Sequence, residues 1–69
     1  MEISQLVKMN TGVIRVRATS RNIAVRLTIL PYGAYSGRVG SRIVRGFINL
    51  SGHWTTMQRV TAALNEVQP

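Results

Sequence analysis

The chain has 69 residues, enough for one small domain whose core is modest. It has no cysteine, which excludes a disulfide framework and a thiolate metal site. Nine basic residues against two acidic ones give a net charge of +7, which points to a polyanionic or acidic partner.

Residues 2–9 carry Ile3, Leu6 and Val7 at helical spacing, and Asn10-Thr11-Gly12 follows as a stop. The spacing fits a short helix or an extended arm. This start lacks a basic region followed by an apolar run, and no apolar stretch reaches the ~18 residues of a membrane span. The expectation is a cytoplasmic protein without a membrane partner.

Residues 13–30 alternate clearly. Ile14, Val16 and Ala18 interleave with Arg15, Arg17 and Thr19, and Ile23, Val25, Leu27 and Ile29 interleave with Ala24, Arg26 and Thr28. Period two with β-branched residues predicts two strands of a hairpin. Placing Thr19 opposite Asn22 pairs Ala18 with Ile23, Val16 with Val25 and Ile14 with Leu27, all apolar. The other face then pairs Arg17 with Ala24 and Arg15 with Arg26. Like charges opposite each other destabilise a sheet, and a bound polyanion would remove that cost.

Residues 31–41 contain Pro31 and three glycines, and read as a loop carrying Tyr32, Tyr35 and Arg38. Tyrosine and arginine there suit base stacking or phosphate contact. The glycines lack the Gly-Lys-Ser/Thr of a phosphate-cradling loop. Residues 42–50 predict a third strand. Val44, Gly46, Ile48 and Leu50 share one face, and Ile43, Arg45, Phe47 and Asn49 the other.

Residues 55–67 predict a helix. Met57, Val60, Thr61, Leu64 and Val67 form a stripe. Thr55 and Gln58 have the spacing of a capping box, and Trp54 stands where it can staple the helix to the sheet. Ser51-Gly52 separates helix from strand, and Pro69 closes the chain.

These elements predict a single α+β domain over residues 1–69. Its core is a three-stranded antiparallel sheet packed against a C-terminal helix, with a short N-terminal helix as an option. The order of elements is similar in outline to double-stranded-RNA-binding domains. Those domains start their last helix with a lysine cluster, where this chain reads Thr55-Thr56-Met57-Gln58-Arg59. Three strands and a helix also resemble sheet-reading DNA-binding domains of plant transcription factors and the arm-binding domains of phage-type integrases. No diagnostic residue accompanies either likeness, so no family is assigned.

Catalytic chemistry has few parts. Glu2 and Glu66 lie near opposite ends, and His53 is the lone histidine, suited to a turn or cap contact. No catalytic residue, metal ligand or cofactor is expected, and the chain does not read as an enzyme. The expected function is nucleic-acid binding, DNA or RNA, through Arg15, Arg17, Arg26, Arg38, Arg42 and Arg45 with Tyr32 and Tyr35. Phosphate neutralisation would supply most of the affinity. The alternative is a protein-interaction module docking on an acidic protein, since arginine and aromatics also favour interfaces. A homodimer would offset the small core.

Overall fold

The computed structural model describes residues 1–49 and 52–68. It contains β1 (Glu2–Lys8), β2 (Ile14–Ser20), β3 (Ile23–Ile29), β4 (Ala34–Val39), β5 (Arg42–Phe47) and α1 (Thr56–Val67). The strands pair antiparallel in the order β1-β2-β3-β4-β5, a meander in which each strand lies beside its neighbour in sequence. The α+β class stands. The three-stranded sheet is overturned by five paired strands, and with it goes the outline that carried the likenesses above.

The two additional strands are β1 and β4. Residues 2–8 are a strand, not a helix. Ile3 stands opposite Ala18 but Gln5 stands opposite Arg17, so Ser4 is an extra residue in a β-bulge. The bulge puts Ile3 and Leu6, three residues apart, beside the inward-facing Ala18 and Val16. A strand thereby carries helical spacing. In β4 the glycines read as one loop have separate roles. Gly33 and Gly40, with φ of 107° and 61°, make the bounding turns. Gly37 lies within the strand, where a Cβ would collide with the Arg26 carbonyl oxygen.

The β2–β3 register also differs from the expected one. Ser20 stands opposite Ile23, so the turn is Arg21-Asn22, with φ of 52° and 65°. Both residues at positive φ make the left-handed two-residue turn whose twist matches that of the flanking strands. Asparagine tolerates this region better than most residues. The pairing is shifted so that Arg17 stands opposite Arg26, Arg15 opposite Thr28 and Val16 opposite Leu27. Because the shift is even, every side chain keeps its expected face.

The core fills one side of the sheet. Ile14, Val16, Ala18, Val25, Leu27, Ile29, Tyr35, Val39 and Ile48 are buried there under Val60, Ala63, Leu64 and Val67 of α1. Met57 is exposed and so is Thr61, which moves the buried stripe from the expected Met57/Thr61 line to Ala63 and its neighbours. The capping box is present: Gln58 N–H donates to Thr55 Oγ1 and Thr55 N–H donates to Gln58 Oε1. Trp54 is half-buried just ahead of it.

Among the described residues, two side-chain bonds tie α1 to the sheet and its β3–β4 turn. Arg59 Nη1 donates to the Pro31 carbonyl at 2.9 Å, and the Tyr35 hydroxyl donates to Glu66 Oε1 at 2.9 Å. The third expected strand ends at Phe47, with Ile48 still buried. The face expected for Leu50, and the roles of Ser51 and Pro69, lie outside the described residues. No helix among the described residues is long and apolar enough to cross a membrane.

Candidate nucleic-acid interface

With the core and α1 on one side of the sheet, the opposite face is open. Strand alternation decides which residues occupy it. One cross-strand row runs Gln5, Arg17, Arg26, Arg38, Ile43. The adjacent row runs Val7, Arg15, Thr28, Ser36, Arg45. Five arginines therefore share one face: three side by side on β2, β3 and β4, and two framing the pair of small hydroxyl residues. All five are exposed.

Among the described residues, none of these guanidinium groups has a hydrogen bond or an ion pair. The two glutamates explain why. Glu66 accepts from Tyr35 beneath the helix, on the other side of the sheet. Glu2 stands opposite Thr19 at a corner. The face is thus a concentrated positive field with little internal neutralisation. It contains a shallow groove of about 450 Å³ lined by Arg15, Arg17, Thr28, Arg26 and Arg38, with Gln5 and Val7 at its β1 side.

The other expected contact residues separate from this cluster. Arg42 stands opposite the buried Val39, so it belongs to the helix-side face, at the edge beside the Gly40-Ser41 turn. Tyr35 is 6% exposed and points into the core. Burial first, then the Glu66 hydrogen bond and charge, raise its phenol above the usual 10.0. Its ring lies over Gly46, where any Cβ would strike it. Tyr35 is therefore a helix anchor, out of reach of a ligand on the open face. Tyr32 is 65% exposed in the β3–β4 turn.

Phe47 and Ile43 lie on the face that reads from sequence as mixed, an apolar patch beside the arginines suited to base stacking or a protein partner. They are 63% and 64% exposed, on the same side as Arg45. The Tyr32 and Phe47 rings lie 6.0 Å apart at 46°. Thr28 and Ser36 were not singled out from sequence. The alternation of β3 already places Thr28 beside Arg26, whereas Ser36 needed β4 to be recognised as a strand.

Other chemistry is sparse. No group of three or more His, Cys, Asp or Glu side chains is gathered among the described residues. His53 is exposed in the segment leading into α1. The chain matches no protein-family model, no curated protein and no solved structure.

Proposed function

We propose that this protein binds nucleic acid through the open face of its sheet. The reading rests on one observation: among the described residues, Arg15, Arg17, Arg26, Arg38 and Arg45 share an uncovered face without partners. Arg17, Arg26 and Arg38 stand directly beside one another, which costs folding energy that a polyphosphate returns. Arginine's planar fork matches phosphate oxygens in geometry and charge. Arg42, Arg59 and Tyr35 fall outside this interface; Arg59 and Tyr35 hold the helix.

Five phosphate contacts set the expected salt dependence. The slope of log K against log salt is about −3.5 on a single strand and about −4.5 on a duplex. Between 50 and 200 mM salt the affinity should fall by roughly 100- to 500-fold. Fluorescence anisotropy with labelled oligonucleotides measures this directly. Replacing Arg15, Arg17 and Arg26 together by alanine should flatten the slope to about −1.4 to −1.8 and leave the circular dichroism spectrum unchanged. A slope near zero in the wild type, or wild-type binding by the triple variant, rejects the proposal.

Exposed Ile43 and Phe47 beside Arg45 favour a second reading, docking on an acidic protein. That reading expects no binding to oligonucleotides at any salt concentration.

A further inference from the structure

We infer that the nucleic acid held by the open face is single-stranded, with its phosphates along the arginine rows and an unpaired base stacked on Phe47 beside Tyr32. This rests on the nucleic-acid reading above and adds the strand state of the ligand.

The first argument is size. Four inter-strand spacings make the sheet about 19 Å wide before side chains are counted. The major groove of a duplex is about 12 Å wide and admits a helix or a two-stranded ribbon. No such ribbon projects among the described residues. β1 accompanies β2 as far as Thr19, and β4 accompanies β3 to Val25. Only the last residues around Arg21-Asn22 extend further. The five arginines stand on the flat of the sheet rather than at a tip, so a duplex major groove cannot enclose all five at once.

The second argument is the aromatic corner. Phe47 lies two residues from Arg45 on the same side of β5, about 7 Å along the strand. Its cross-strand neighbour is Ala34, too small to cover the ring. Tyr32 flanks it at 46°, leaving an open angle between two rings. The core is on the opposite side of the sheet, so packing does not account for the exposure. From the arginines to this corner the strands present only the small side chains of Thr28, Ser36 and Ala34. A backbone bound to arginine can therefore lay a base against Phe47 without obstruction. Bases inside a duplex are stacked on one another and offer no free face, whereas those of a single strand do.

The test is anisotropy at fixed salt with four ligands: a 12-nucleotide single strand as DNA and as RNA, the same DNA sequence as a duplex, and an abasic strand with the same number of phosphates. The wild type should bind the better of the two single strands at least tenfold more tightly than duplex or abasic strand. Which of them binds better identifies the sugar. Phe47→Ala should lose about tenfold on that strand, keep the wild-type salt slope, and bind the abasic strand as the wild type does. Tyr32→Ala, in a turn, carries the same expectation if the Phe47 variant does not fold. Equal or tighter binding of the duplex, or aromatic variants that bind like the wild type, overturns the inference. Steep salt-dependent binding of all four ligands alike would do so while leaving the nucleic-acid reading intact. Failure to bind any ligand at low salt would remove both.

Discussion

Arg26 has an arginine on each side, Arg17 on β2 and Arg38 on β4, and replacing it should make the free protein more stable. Arg26→Gln removes the charge while keeping two of the three methylenes and a polar, hydrogen-bonding end. Each directly opposed like-charge pair costs about 0.2–1 kcal/mol, so relieving two should return about 1 kcal/mol at low salt. With 69 residues and about 2.1 cal/mol/K of unfolding entropy per residue, 1 kcal/mol corresponds to about 7 °C in Tm. Calorimetric scans at 20 and 500 mM NaCl measure both parts of the effect. The gain should be largest at 20 mM. It should mostly vanish at 500 mM, where the screening length is about 4 Å. Arg42→Gln is the control, because Arg42 stands opposite Val39 and relieves no arginine pair. Adding a saturating oligonucleotide should reverse the order, raising the wild-type Tm more than that of the variant. A lower Tm for Arg26→Gln at 20 mM, or an equal rise at both salts, refutes the charge-crowding argument.

Further predictions concern the scaffold. Tyr35→Phe removes the bond to Glu66 and should lower stability by about 1 kcal/mol while leaving oligonucleotide affinity unchanged. Weaker binding by a folded Tyr35→Phe protein would return Tyr35 to the interface. The raised phenol of Tyr35 means that the folded state holds its proton more tightly than the unfolded state does. Its contribution is thus complete below pH 10.0 and is lost as the pH rises from there through the higher folded value. Urea titrations across that window should show a steeper loss for the wild type than for Tyr35→Phe. Gly46→Val would push the Tyr35 ring from its place, and chemical denaturation should report a loss of about 1–3 kcal/mol. The double change Arg21→Asn with Asn22→Gly supplies residues suited to positive φ at both turn positions. It should raise the stability by about 1 kcal/mol, with no change expected in binding.

Local alternation made the two faces of β2 and β3 legible without any structure. Ile14, Val16, Ala18, Val25, Leu27 and Ile29 are buried, and Arg15, Arg17 and Arg26 are exposed, as period two requires. Thr55 and Gln58 marked the helix start just as directly, because a capping box is satisfied within four residues. These features depend on near neighbours in sequence.

The remaining elements depend on strand partners. Ser4 bulges only because β2 lies beside it, and that one extra residue gives β1 the spacing of a helix. Gly37 belongs to a strand because β3 approaches it closely, a reason invisible among the glycines around it. The register of β2 and β3 followed the Arg21-Asn22 turn, and an even shift cannot be detected from which residues are apolar. Tyr35 could not be told from Tyr32 until α1 brought Glu66 over one and left the other in solvent. In β2 and β3 the sequence by itself determined which side chains face water, because alternation is a property of one strand. Tertiary structure decided which arginines stand side by side, because that is a property of pairs of strands.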